Sequence, residues 1–228
     1  MTMKTLVVIN PNSSETVTRG IEQALQPLQG VGVPIRCLTL PEGPPGIETQ
    51  QQADLTVAPM LALADRQTDA AGFVIACFGD PGLHALRVQT ALPVTGIQEA
   101  SVMTALTLGH RFGVIAILPQ SIPRHLRAFG AMGVSGRLAG DRALDLGVAD
   151  LADPDRCLAA MIRTGKQLRD VDGAEVLIMG CAGMAQYRSV LQDETGLPVV
   201  EPTQAAVSMA LGQIALGLTH RPEGAMND

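Results

Sequence analysis

The chain has 228 residues, of which 46% are hydrophobic, and its formal net charge is −6. Its Lys and Arg residues are scattered, which argues against a nucleic-acid-binding protein and against a protein that binds an anionic membrane. No apolar run reaches the roughly 18 residues of a membrane span, and the first run is too short for a signal peptide, so we expect a soluble, cytoplasmic protein.

The first part of the chain predicts strands that alternate with helices. Strands are expected at residues 5–9, 34–40, 72–76 and 92–96, and helices at residues 12–28, 48–69 and 98–108. Asn12 and Glu15 have the spacing of a capping box, which places a helix start at Asn12. Asp80 followed by Pro81 predicts another helix start, since these residues favour the N-cap and the first helical position.

The second part repeats this arrangement. Strands are expected at residues 112–117, 175–179 and 197–200, and helices at residues 184–191 and 203–216. Ser121 with Pro123 predicts one helix start, and Asp153 with Pro154 predicts another helix that extends to about residue 170. The long, β-branched and aliphatic segments of both halves favour parallel strands that helices cover on both faces.

Four short segments recur in the same order in both halves. Ile75-Ala76-Cys77 matches Met179-Gly180-Cys181, and the loop at residues 8–13 matches residues 116–121; residues 92–94 and 102–106 match residues 197–199 and 207–211. We therefore predict an α/β fold of two pseudo-symmetric domains, each a mainly parallel sheet flanked by helices, with the active site in the cleft between them. The first domain is expected to comprise residues 1–97 and 205–228, and the second residues 98–204.

Two of the four cysteines occupy equivalent positions in this repeat. Cys77 and Cys181 each follow a predicted strand, and ligands of open α/β sheets bind outside the carboxyl ends of the strands. We therefore expect two thiols to face one cleft from opposite sides. Cys37, in a strand, and Cys157, in a helix, are interpreted as core residues. No C-x-x-C pair occurs, so neither a structural zinc site nor another metal site is expected.

Two opposed thiols suit racemisation beside a carbonyl group, because one can remove a proton from one face while the other delivers a proton to the opposite face. Both cysteines precede predicted helix starts, which would lower their thiol pKa. Backbone N–H groups at Phe78-Gly79 and Ala182-Gly183 could stabilise the developing enolate.

The motifs Cys77-Phe78-Gly79-Asp80-Pro81 and Gly180-Cys181-Ala182-Gly183-Met184 resemble the two signature loops of hydantoin and allantoin racemases. Residues 8–14, 46–48 and 118–121 resemble other loops of that family. The resemblance covers nearly the whole chain. It implies a catalytic pair, Cys77 and Cys181, that needs no metal or other cofactor, and a small-molecule cyclic ureide as substrate. We also expect a homo-oligomer, as is common for enzymes of this size.

The resemblance also implies which residues contact the substrate. Amino-acid racemases of the same superfamily carry polar residues after both cysteines, whereas this chain has Phe78-Gly79 and Ala182-Gly183, which suit a neutral ring. This favours allantoin or a 5-substituted hydantoin over glutamate or aspartate. The predicted substrate-binding residues are Asn10, Ser13, Ile47, Phe78, Gly79, Asp80, Gln120, Ser121, Ala182 and Gly183.

Several of these residues also have a purely structural interpretation. Asn12 and Ser13 fit a helix cap, Asp80 fits an N-cap, and Gln120 and Ser121 are ambiguous between a cap and a ligand contact. His84 and His125 lie on predicted helices and are interpreted as surface residues; the four histidines have no metal-ligand spacing.

Other functions on the same scaffold stay open. A maleate-isomerase-like enzyme could use two cysteines, one of them as a nucleophile, and an amino-acid racemase would use both as acid and base. A decarboxylase of the arylmalonate type usually keeps only the second cysteine, so Cys77 counts against it. A two-lobed binding protein without catalytic activity would have no evident use for paired thiols.

Overall fold

The computed structural model describes residues 4–146 and 154–221. Its strands are β1 (Thr5–Asn10), β2 (Ile35–Thr39), β3 (Ala70–Ile75), β4 (Val94–Gly96), β5 (Phe112–Ala116), β6 (Leu138–Ala143), β7 (Val176–Met179) and β8 (Val199–Val200). Its α-helices are α1 (Glu15–Ala24), α2 (Gln50–Leu55), α3 (Val57–Asp65), α4 (Leu83–Gln89), α5 (Ile97–Leu108), α6 (Ile122–Ala131), α7 (Pro154–Asp170), α8 (Arg188–Thr195) and α9 (Pro202–Ala215). None of the helices described there is both long and apolar enough to cross a lipid bilayer.

The strands form two sheets with the same topology. Within the described residues, one sheet has the order β2-β1-β3-β4 and the other the order β6-β5-β7-β8, and every pairing is parallel. The predicted α/β fold of two pseudo-symmetric units, each a parallel sheet flanked by helices, is thus confirmed.

The strand register corrects one part of the predicted repeat. The N–H of Ala76 donates to the carbonyl of Ile9 at 2.8 Å, and the N–H of Gly180 donates equivalently to the carbonyl of Ile115 at 2.9 Å. Ile9 therefore corresponds to Ile115, and its predicted alignment with Ile117 is wrong. The reason is that the loop after β5 is longer than the loop after β1.

Alternate residues of each central strand belong to different cores. Leu6 and Val8 of β1 and Val114 of β5 lie in one large cluster, to which the buried faces of α5 and α9 also belong. The intervening residues Val7 and Ile9 lie in a cluster with residues of α3 and α4, and Ile115 lies in one with residues of α7 and α8. This alternation has the period of two expected of strands that are buried on both faces.

The last helix returns to the first sheet. α9 packs on β1, β3 and β4, whereas α5 packs on β5, β7 and β8, and the two helices contact each other. The division into residues 1–97 with 205–228 and residues 98–204 stays a prediction.

Local signals misplaced two helix boundaries. α1 begins after Ser14, whose hydroxyl accepts from the Val17 N–H, so the prediction of an Asn12 cap is wrong. The predicted helix at residues 48–69 is two helices, α2 and α3. Pro59 lacks an N–H and its ring disfavours a helix that continues from the previous turn, which accounts for the break at Thr56. The predicted cap residue Asp153 lies outside the described residues.

The sequence pattern did not predict β6. This strand contains Asp141 and Arg142 and is only partly buried along its length, so that it lacks the apolar run typical of the other strands. Its polar residues are paired: Arg142 forms an ion pair with Asp172, and Asp141 lies 2.8 Å from His125. An edge strand held by such pairs needs little apolar surface.

Candidate active site

The two loops that carry Cys77 and Cys181 meet at one cavity. Each cysteine is the second residue after a central strand, β3 or β7, at the carboxyl edge of its sheet. Both cysteines line the cavity, which has a volume of about 30 Å³. Of the predicted substrate-binding residues, five also line it: Ile47, Phe78, Ser121, Ala182 and Gly183. The structure therefore brings together the two thiols and half of the residues that the sequence assigned to the substrate.

Burial of the two thiols opposes their ionisation. It raises the pKa of Cys77 to about 12 and that of Cys181 to about 11. The expectation of thiols with a lowered pKa is thus wrong. The helix after Cys77 begins only at Leu83, and although the Gly183 N–H donates to Cys181 Sγ at 3.4 Å, this bond does not outweigh the loss of solvation.

The other five predicted substrate-binding residues do not line the cavity: Asn10, Ser13, Gly79, Asp80 and Gln120. The Asn10 side chain is buried in the first loop, where its amide donates to Asn12, at 2.9 Å, and to Thr18, at 3.0 Å. Ser13 lines a neighbouring groove of about 1070 Å³, and Gln120 is exposed. Asn12, which the sequence assigned to a helix cap, is the residue of the first loop that lines the cavity.

Ser121 is buried at the cavity wall and its hydroxyl is unused. It occupies the N-cap position of α6 but makes no side-chain cap bond, and among the residues that the structure describes its Oγ has no hydrogen-bond partner. A buried hydroxyl without a partner is costly in free energy, so this group is poised to bond a ligand in the cavity.

Asp80 caps a helix, but not the one predicted. Its carboxylate accepts from the N–H groups of Gln98, at 2.9 Å, and Glu99, at 2.8 Å, in the first turn of α5. In the other half, Glu201 accepts in the same way from the first turn of α9. The N-cap residue of α5, which corresponds to Glu201, is Gly96, and a Cβ there would lie 2.2 Å from the Asp80 carboxyl carbon. Asp80 therefore replaces the side chain that Gly96 lacks.

Removal of this cap is expected to destabilise the fold in a way that a second substitution repairs. Asp80→Ala leaves two buried N–H groups unpaired and should lower the free energy of unfolding by about 2 kcal/mol. Asp80→Ala/Gly96→Glu, which copies the Glu201 arrangement, should recover at least half of that loss in urea unfolding. Asp80→Ala/Gly96→Ala is the matched control, because it fills space without capping. Equal stability of the two double variants would contradict the conclusion that Asp80 caps α5 in place of a side chain at position 96.

The sequence interpretation missed two residues beside the cysteines. Arg124 lines the cavity, one helical turn after Ser121 on α6; this spacing of three, which places two residues on one helix face, was the signal that could have found it. His125 was interpreted as a surface residue, and this is wrong: it is buried against Asp141, and its ring lies 4.9 Å from that of Phe78. His84 is exposed, as expected.

The remaining cysteines lie in the structural core. Cys37 packs against the large cluster from β2, and Cys157 is fully buried in α7. Within residues 4–146 and 154–221, no group of three or more His, Cys, Asp or Glu side chains could hold a metal ion.

Comparisons with known proteins place this geometry in a family. The family model described as Asp/Glu/Hydantoin racemase matches residues 6–210. A hydantoin racemase of Rhizobium meliloti is 37% identical over 92% of this chain and 88% of its own length, and one of Paenarthrobacter aurescens is 35% identical over 93% and 92%. The allantoin racemase structure from Klebsiella pneumoniae, 32% identical, superposes with a TM-score of 0.90 over 97% of this chain and 91% of its own.

The matches span nearly the whole chain and both cysteine loops. The two sheets with their repeated topology and the level of sequence identity support the same family assignment. The chain belongs to the Asp/Glu/hydantoin racemase family and is an isomerase of the hydantoin/allantoin racemase type.

Proposed function

We propose that this enzyme inverts C5 of a hydantoin-type cyclic ureide, allantoin or a 5-substituted hydantoin, with Cys77 and Cys181 as base and acid. The thiolate of one cysteine takes the C5 proton, and the electron pair of that bond moves toward the neighbouring carbonyl oxygen. The thiol of the other cysteine gives its proton to the opposite face of C5, so that thiol and thiolate have exchanged roles. We also propose that the enzyme is cytoplasmic and homo-oligomeric, as expected from the sequence.

The observation that carries the proposal is the meeting of two symmetry-equivalent thiols at one cavity. The two groups approach from different sheets, and Cys181 is close enough to Cys77 that a negative charge on Cys181 raises the pKa of Cys77. An acid and a base on opposite sides of a carbon are what inversion requires.

The side chains that line the cavity favour a substrate whose ring carries no charge. Val17, Ile47, Phe78 and Ile117 contribute apolar surface, and Arg124 is the charged side chain among the lining residues that the structure describes. The flanking carbonyl and amide nitrogen already activate C5–H of a hydantoin, so a weak base such as a thiolate suffices.

The narrowness of the cavity implies that substrate entry displaces side chains. A volume of about 30 Å³ is below the range of roughly 300–1000 Å³ of pockets that bury a drug-sized ligand. The neighbouring groove shares Val17, Ala182 and Gly183 with the cavity, so it provides a path along which the wall can open.

The test is a panel of single enantiomers followed by optical rotation. Allantoin and several 5-substituted hydantoins should lose rotation to zero, with a reductant and EDTA present, whereas L-glutamate and L-aspartate should keep it. Maleate and an arylmalonate are included to detect isomerisation or decarboxylation. Loss of rotation with glutamate alone, or conversion of a diacid without any effect on the cyclic ureides, would refute this proposal.

A further inference from the structure

The guanidinium of Arg124 has bonding capacity that the protein does not use. One of its terminal nitrogens, Nη2, donates to the carbonyl of Phe78 at 3.5 Å. Its Nε and Nη1 atoms are buried and, among the residues that the structure describes, have no hydrogen-bond partner. Guanidinium groups present their N–H donors in a rigid fork, and leaving two of them buried and unpaired is costly.

The loop after Cys77 is shaped around this side chain. At Gly79, whose φ is +117°, an added Cβ would lie 2.8 Å from Arg124 Nε and 3.5 Å from its Cζ. Any larger residue at this position would push the guanidinium away. Gly79, which the sequence assigned to the substrate, therefore makes room for Arg124.

The same side chain acts on both thiols. Its positive charge opposes the burial that raises the pKa of Cys77, and it does the same at Cys181. Arg124 also lines the same cavity as both cysteines. A substrate bound in this cavity would contact both thiols and the guanidinium, so the carbonyl oxygen next to its reacting carbon is a candidate acceptor for the unpaired N–H groups.

We infer that an unpaired N–H of Arg124, at Nε or Nη1, binds the ring carbonyl oxygen next to C5 and stabilises the negative charge that this oxygen gains. The inference rests on the proposed racemisation and names the donor for its enolate. When the C5 proton passes to one thiolate, the electron pair of that bond reaches the oxygen held by Arg124; when the opposite thiol reprotonates C5, the pair returns. The unused Ser121 hydroxyl borders the same cavity and would complete the oxygen site.

Arg124 would serve catalysis differently if it bound a carboxylate on the substituent of the substrate. In that case it would select acidic substrates and leave the reaction of neutral ones unaffected. If Arg124 binds the ring oxygen instead, it is equally important for every hydantoin, because all hydantoins carry that oxygen.

The experiment compares Arg124→Met with wild type on 5-methylhydantoin and on hydantoin-5-acetate. Loss of one preorganised oxyanion donor should lower kcat by about 10² to 10³-fold on both substrates with little change in KM. Arg124→Lys should keep part of the activity, and guanidinium ions should raise kcat of Arg124→Ala. Arg127→Met is the matched control, since Arg127 is exposed on the same helix and contacts only the Gln50 side chain among its recorded hydrogen bonds.

The outcomes separate this inference from the proposed function. Inactive wild type on both hydantoins refutes the proposed racemisation itself. Active wild type with an unchanged kcat in Arg124→Met overturns the role of Arg124, and a loss confined to hydantoin-5-acetate shows that the side chain binds a substituent carboxylate instead. If iodoacetamide labelling of both cysteines slows by the same factor as kcat, Arg124 acts on the thiols and not on the oxygen.

Discussion

Replacement of either cavity cysteine should separate proton exchange from inversion. In Cys77→Ser, Cys181 can still take the C5 proton from the enantiomer whose hydrogen faces it, but no thiol stands on the other side to complete inversion. We expect racemisation to fall by about 10² to 10⁴-fold, the usual contribution of a positioned acid or base. Exchange of C5–H with solvent deuterium should persist for one enantiomer only. Cys181→Ser should show the same behaviour with the opposite enantiomer.

The measurement combines proton NMR with polarimetry on each enantiomer of one hydantoin in D₂O. Cys37→Ser is the matched control, because Cys37 packs against the core from β2, away from the cavity, and its loss should leave both rates near those of wild type. Racemisation that survives in either cavity variant, or exchange that disappears for both enantiomers in one of them, would contradict opposed acid and base roles.

The rate of racemisation should increase steeply with pH. Burial raises the pKa of Cys77 to about 12 and of Cys181 to about 11, so both are protonated in the resting enzyme at neutral pH. Below its pKa, the thiolate fraction of a group rises tenfold per pH unit. We therefore expect kcat/KM, which reports on the free enzyme, to rise about tenfold per unit between roughly pH 6 and pH 9, without a plateau.

Alkylation by iodoacetamide tests the same property without a substrate. The labelling rates of Cys77 and Cys181, measured by mass spectrometry of their peptides, should be slow at neutral pH and rise in parallel with kcat/KM. Burial also raises the pKa of Cys37 to about 12, so this residue serves as an internal reference for a buried thiol. A plateau of both profiles below pH 8 would show that a thiolate is already formed in the resting enzyme.

Strong local patterns allowed the central strands and the cysteine pair to be predicted. β1, β3, β5 and β7 are buried apolar runs, and such runs are visible without any knowledge of their partners. The repeat then placed Cys77 and Cys181 at equivalent strand ends. Because ligands of open α/β sheets bind outside the carboxyl ends of the strands, equivalent strand ends in two facing units were enough to predict a common cavity.

Apart from the boundaries of α1, α2 and α3, the errors in the predicted elements and caps concern contacts between segments that are distant in sequence. Asp80 has the local signature of a cap for the helix that follows it. Because Gly96 has no side chain, the Asp80 carboxylate fits beside it and caps α5 instead. β6 is held by the Arg142–Asp172 ion pair and by the hydrogen bond between Asp141 and the buried His125. None of these partners is recognisable from neighbouring residues.

The pKa of the two thiols is another property that local sequence patterns did not predict. A cysteine before a helix start predicts a lowered pKa, but the effect of burial depends on how closely both sheets and their loops enclose the group. The Gly183 N–H donates to Cys181 as a local argument would suggest, and the surrounding structure still raises the pKa.

The most direct test of inversion between two opposed thiols is the isotopic content of substrate and product early in the reaction in D₂O. One enantiomer of a 5-substituted hydantoin is incubated with wild-type enzyme to low conversion, and the enantiomers are separated and analysed by mass spectrometry. Transfer across the cavity predicts that the inverted product carries deuterium at C5 while the recovered substrate still carries protium. Deuterium in the recovered substrate at the same level as in the product, or product that retains protium, would contradict this account, because a single base would then serve both faces.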